Sequence, residues 1–121
     1  MHPTGIVANL LVADVADARD FYVGFLGLSV EGFNMGWVVR LQSPDGRAVL
    51  HLVTRDATAP VDSVISVHVG DEVEAAYQDA LRRGLEIVHP LTTEPWGVRR
   101  FFVRAPDGNI INIVNHKDDD A

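Results

Sequence analysis

The sequence predicts an α+β domain assembled from two tandem copies of a βαβββ unit. Three observations carry that expectation: an internal repeat, a strand-like and then a helix-like apolar pattern at the start of each half, and a Pro-Asp-Gly turn near the end of each half. Val7, Leu10, Val12, Asp14, Ala18, Gly27 and Leu28 recur 57 positions later as Val64, Val67, Val69, Asp71, Ala75, Gly84 and Leu85. One offset maintained through a strand, a helix cap, a helix and a helix stop indicates duplication. The modules run approximately over 5–55 and 62–116. The stretch 54–62, TRDATAPVD, has turn formers and no periodicity, which marks it as the linker.

Each half opens on an apolar, β-branched run, Ile6 to Val12 and Val64 to Val69, the pattern of a covered strand. A helix follows. In the first half Asp14 is placed to cap it, Ala18, Phe21, Tyr22, Phe25 and Leu26 form the expected buried face, and Gly27 ends it. In the second, Asp71 with Glu74 three residues on has the spacing of a capping box, Val73, Ala76, Tyr77, Ala80 and Leu81 share one face, and Gly84 is the stop. Strands are then expected at Trp37 to Gln42 and Ala48 to Val53, and at Arg99 to Arg104 and Asn109 to Val114. Pro-Asp-Gly at 44–46 and 106–108 joins each pair as a hairpin. Short strands at Ser29 to Phe33 and Leu85 to His89 complete each module.

With 121 residues, 47% hydrophobic and 22% charged, the chain has the composition of one globular domain. Its apolar stretches are strand-length, far short of the run of about 20 that spans a bilayer. The N-terminus lacks a secretory pattern and there is no cysteine, so a cytoplasmic protein is expected. A net charge of −7 argues against nucleic-acid binding, which rests on neutralising phosphates. Residues 117–121 are expected to be an acidic tail, and Arg99, Arg100 and Arg104 stand out against the acidic balance. No phosphate loop, Cys-X-X-Cys pair, His-Glu-X-X-His helix or Gly-X-Ser-X-Gly elbow occurs, so no common cofactor is expected.

The stretch NLLVADVADARDFYVGFLGLSV resembles the first strand and helix of the vicinal-oxygen-chelate superfamily of glyoxalases, bleomycin-resistance proteins and extradiol dioxygenases. VRAPDGNIINIV resembles their closing hairpin. The similarity covers residues 6 to 115. It implies two βαβββ modules whose strands form a curved, cupped mixed sheet, with helices on the convex face and ligands in the cup. EPWGVRRFFVRAPDGNIINIV and GWVVR resemble the bleomycin-resistance members most, which implies a homodimer that sequesters a bulky, partly aromatic small molecule in clefts at its interface.

The same resemblance locates the superfamily's four metal-ligand positions at Val7, His51, Val64 and Asn112. A valine has no lone pair, and transition metals need three or four converging N, O or S donors, so no metal is expected. Strand alternation then nominates the ligand-facing side chains: Asn9, His51, Ser66, His68, Arg100, Phe102 and Asn112. Phe33 and Trp96 are candidates for the lip. Trp37 and Arg40 are also candidates, although a regular strand cannot turn both inward. The expected function is metal-independent binding of a small molecule. The alternative is a metal-free lyase, isomerase or epimerase in which His51 or His68 serves as a base and Arg100 stabilises an enolate.

Overall fold

The computed structural model describes residues 1–116, and the acidic tail expected at 117–121 lies outside them. Eight strands and two helices follow in the order β1 (Gly5–Leu11), α1 (Val15–Arg19), β2 (Val30–Asn34), β3 (Val38–Gln42), β4 (Val49–Val53), β5 (Ile65–His68), α2 (Val73–Arg82), β6 (Glu86–Thr93), β7 (Arg99–Arg104) and β8 (Ile110–Asn115). This is the α+β class and the doubled βαβββ order that the repeat predicts. The chain divides into two compact units, Val7–Ala57 and Met1–Ile6 with the chain from Thr58 onward. No helix among the described residues is long and apolar enough to cross a membrane.

In the first half the strands pair in the order β2-β3-β4-β1. β1 runs parallel to β4, and the other two pairings are antiparallel. The second half repeats the arrangement as β5-β8-β7-β6, with β5 parallel to β8. Both Pro-Asp-Gly segments are tight turns. Asp45 and Asp107 accept the backbone N–H of Arg47 and Asn109, and Gly46 and Gly108 take φ of 74° and 90°, where a side chain would be strained.

Helix α2 buries Val73, Ala76 and Ala80 against Val67, Val69, Phe101 and Ile113. Tyr77 meets Phe101 edge-on at 5.0 Å. Burying a side chain such as Phe101 contributes about 1.5–3 kcal/mol, so this face anchors the second half. The expected capping box is not formed. Asp71 lies in a 3₁₀ turn, Gly70–Glu72, and no side chain caps α2. Glu72 instead accepts bonds from the backbone N–H and ring Nδ1 of His2, at 2.6 and 2.8 Å.

The first helix departs further from expectation. Asp14 caps it as predicted, accepting from the N–H of Asp17 at 3.1 Å. After five residues the backbone widens into a π-helical turn, Asp20–Phe25, with Leu26 N–H bonded to the Phe21 carbonyl at 3.0 Å. The i→i−5 winding changes which side chains share a face. Val15, Ala18, Tyr22 and Val23 pack on Leu28, Val39, Leu41 and Leu52. Phe21, Phe25 and Leu26, expected to be buried, are exposed, Phe25 by 77%.

Candidate functional site

Each half has one strand face packed on its helix and an opposite face carrying polar and aromatic side chains, the direct outcome of strand alternation. Pairing aligns those side chains in rows across the strands. In the first half Asn9 pairs with His51, His51 with Arg40, and Arg40 with Phe33. His51 Nδ1 and Asn9 Oδ1 are 2.8 Å apart. The Phe33 ring lies 5.5 Å from the His51 ring, and the Arg40 guanidinium stands over Phe33 at the same distance. Four predicted residues are thus brought together. Trp37 lies just before β3, and its carbonyl accepts from the N–H and Oγ1 of Thr54.

In the second half the row is Ser66, Asn112, Phe102 and His89. Asn112 donates from Nδ2 to Ser66 Oγ at 3.0 Å, while its buried Oδ1 has no hydrogen-bond partner among the described residues. The adjacent row is His68, Val114, Arg100 and Thr92. His68 stacks on His116 with ring centroids 5.6 Å apart. The Arg100 guanidinium lies 5.2 Å from the Trp96 ring and 4.9 Å from the Phe102 ring. Val64 precedes β5 and is exposed, and Arg104, at the end of β7, is exposed and paired with Glu86 at 2.9 Å.

Three residues that the sequence reading did not nominate complete this cluster. Glu94 and Arg100 are each only 4% exposed, and Glu94 Oε2 accepts from Arg100 Nε at 2.6 Å. Thr58 Oγ1 donates to the same oxygen at 2.7 Å and accepts from Arg100 Nη2 at 2.9 Å. His89 Nε2 reaches it at 3.2 Å, with the ring edge-on to Phe102 at 5.4 Å. Burial by itself raises the Glu94 pKa. The Thr58 hydroxyl, the Arg100 charge and hydrogen bond, and the His89 bond outweigh it and hold the carboxyl below its usual range.

His89 arrives on this face through irregular pairing. The β6·β7 register shifts between Ile87 and His89 and again between His89 and Thr92. Ile87 and Leu91 therefore pack toward α2 while His89 faces Phe102, although strict alternation would put all three on one side. Pro90, which has no N–H for a ladder, lies within the second shift on the outermost strand of its half. It is the sequence signal that could have revealed the bulge.

The family's metal does not fit these residues. Val7 and Val64 offer no donor, and among the described residues no group of three His, Asp or Glu is placed to hold an ion.

Residues 5–113 match the family model described as the Glyoxalase/Bleomycin resistance protein/Dioxygenase superfamily. No curated protein matches the sequence. Among solved structures the chain is similar to one from Legionella pneumophila described as an NAD-dependent benzaldehyde dehydrogenase, with 18% identity, 93% of this chain and 100% of that chain covered, and a TM-score of 0.75. It is similar to methylmalonyl-CoA epimerase from Mycobacterium tuberculosis, with 22% identity, coverage of 98% and 93%, and a TM-score of 0.68. A glyoxalase/bleomycin resistance protein/dioxygenase superfamily member from Vibrio splendidus 12B01 shares 19% identity over 93% and 98%, with a TM-score of 0.66. At these identities the likeness is one of fold.

Proposed function

The chain belongs to the glyoxalase/bleomycin resistance protein/dioxygenase superfamily, and within it we propose a metal-independent protein that binds a bulky, partly aromatic small molecule and acts by sequestering it, as in antibiotic or natural-product resistance. The observation that carries this reading is the second-half cluster. A neutralised arginine lies against two aromatic rings, beside a buried amide whose carbonyl is unmet. Aromatic surface with a few placed polar groups is the usual makeup of a small-molecule site. Trp96 and Phe102 supply stacking, while Asn112, Ser66 and Arg100 set orientation. Asn9, His51, Arg40 and Phe33 provide the equivalent row of the first half, and the working form is a homodimer.

A second reading has one observation in its favour. Glu94, fixed by Arg100 and Thr58, holds His89 through Nε2, an arrangement that also suits a proton-transferring histidine. Under it the protein is a metal-free lyase, isomerase or epimerase. One experiment separates the two. Candidate natural products are incubated with stoichiometric and with catalytic amounts of protein, with and without chelator, and followed by mass spectrometry. Unchanged compound held at stoichiometry, indifferent to chelator, is the expected result. Turnover that disappears in His89→Gln would replace sequestration by the enzyme reading, and binding abolished by chelator would remove metal independence.

A further inference from the structure

The N-terminal residues bring together four donors that belong to no row of the sheet. Thr4 anchors them. Its N–H and Oγ1 both donate to the His68 carbonyl, at 2.8 and 3.2 Å, which holds the chain at the end of β5. Beyond Pro3 the chain reaches the 3₁₀ turn Gly70–Glu72, and three nitrogens gather on the Glu72 carboxylate. The His2 backbone nitrogen lies 2.6 Å from Oε2, His2 Nδ1 lies 2.8 Å from Oε1, and the Met1 amine stands 3.9 Å from Oε2. The bonds from His2 hold the Glu72 carboxyl below its usual pKa, so it is ionised.

These nitrogens have the connectivity of a chelate. The Met1 amine and the His2 amide nitrogen close a five-membered ring on a single ion, and the same amide with His2 Nδ1 closes a six-membered one. The next residue extends the set no further, because Pro3 has no N–H to give up. A fourth position in the plane is left for an oxygen, and Glu72 is the carboxylate at hand. Planar coordination by nitrogen and oxygen suits Cu(II), which also heads the affinity order of the divalent metals.

We propose that Met1, His2 and Glu72 form a Cu(II) site whose donors are the terminal amine, the His2 amide nitrogen, His2 Nδ1 and one Glu72 oxygen. Binding releases one proton from the ammonium and one from the amide. A proton on Nδ1 leaves or passes to Nε2, and the carboxylate has none to lose. The site is open to solvent: the His2 side chain is 89% exposed, and Met1 and Glu72 border a cavity of about 470 Å³. Asp79, which also lines that cavity, is bonded to Arg82 and Arg83 and does not compete. None of these residues is among the superfamily's metal-ligand positions, and the site stands apart from the binding reading above.

Titrating Cu(II) alone into the full chain at neutral pH tests it, followed by the visible d–d band and by electron paramagnetic resonance. One equivalent should bind, with hyperfine structure from coordinated nitrogen. Acetylating the Met1 amine, or His2→Gln, should each weaken binding by more than the roughly 10–100-fold that loss of a supporting partner costs. Glu72→Gln should weaken it by about tenfold and alter the resonance spectrum, because water then takes the oxygen position. Circular dichroism of each variant checks that the fold is kept, as expected for residues at the surface. Absence of binding, or binding that survives acetylation or His2→Gln, would overturn the site. Affinity and spectrum both unchanged in Glu72→Gln would remove the carboxylate from the donor set and the proposal with it.

Discussion

The two halves share one construction and differ in chemistry, and the contrast separates what the fold supplies from what the side chains supply. Both place a four-residue row across their strands on the face away from the helix, Asn9–His51–Arg40–Phe33 in one and Ser66–Asn112–Phe102–His89 in the other. Both shift register on the outermost strand just before the last residue of the row, between Glu31 and Phe33 and between Ile87 and His89. In the first half the side chains of Gln42 and Arg40 lie over the intervening Gly32, where an added Cβ would have to displace them. The bulge is thus a duplicated feature of the backbone, and it delivers a phenylalanine in one copy and a carboxylate-held histidine in the other. Charge diverges too. The first half keeps its Arg19–Glu31 pair on the surface, whereas the second buries Arg100–Glu94.

That difference in burial sets the largest expected effect. Removing one partner of a buried pair strands the other, which typically costs 3–5 kcal/mol, while exposed pairs contribute about 0–1 kcal/mol. Arg100→Leu should therefore lower the unfolding free energy by about 3–5 kcal/mol in a urea titration, and Arg19→Leu by less than about 1 kcal/mol. Replacing both Arg100 and Glu94 by Leu should destabilise less than Arg100→Leu does, because no charge is then left buried. Equal effects for the two single variants would mean that the Arg100 pair is open to water and that the halves do not differ in this respect.

The same pair gives stability a pH dependence. The folded state holds the Glu94 carboxyl below its ordinary value of 4.5, so its contribution is complete above that value and is lost as pH falls through the folded one. Acid should therefore destabilise the protein more steeply below about pH 4.5 than it destabilises Glu94→Gln. Asp45, Glu72 and Asp79 are also held low, by hydrogen bonds with Ser43, His2 and Arg82 respectively, but they are common to both proteins and cancel in the difference. Parallel acid limbs for the two would show that Glu94 gains nothing from its partners.

How far the sequence exposes this architecture depends on whether a feature is local and periodic. The repeat, the Asp14 cap, the turns at 44–46 and 106–108 and the alternation on β4, β7 and β8 are all such features, and the rows containing His51, Asn112 and Phe102 followed from them. Glu94, Thr58 and His89 did not. Glu94 lies in a loop where periodicity is silent, Thr58 reaches the cluster from the linker, and His89 changes face because of a bulge that alternation cannot represent. Helix α1 failed for a related reason. Its pattern was read at 3.6 residues per turn, and a π-helical turn does not keep that period.

That turn leads to the smallest expected change in stability and to a separate readout. Helix α2 buries Val73, Ala76 and Ala80 and leaves Leu81, expected on the same face, exposed, whereas the equivalent segment of the first half presents Phe21 and Phe25 together with Leu26 to solvent, with the two phenylalanine rings 5.3 Å apart. Exposed apolar side chains gathered in this way commonly mark an association surface, and two-fold pairing of identical chains is the commonest way to cover one. Because these side chains are not part of the packed core, Phe21→Ser with Phe25→Ser should change the monomer's unfolding free energy by no more than about 0.5 kcal/mol, the range of surface substitutions. The effect should appear in association instead: a dimer at micromolar concentration in sedimentation velocity, converted to monomer in the double variant. Reversing Val73 or Ala80 of α2 to Ser should do the opposite, weakening the fold before it affects assembly. If the unmodified chain sediments as a monomer, or the double variant remains dimeric, the surface beside α1 is not where two copies meet, and the contrast between the two helices is one of packing alone.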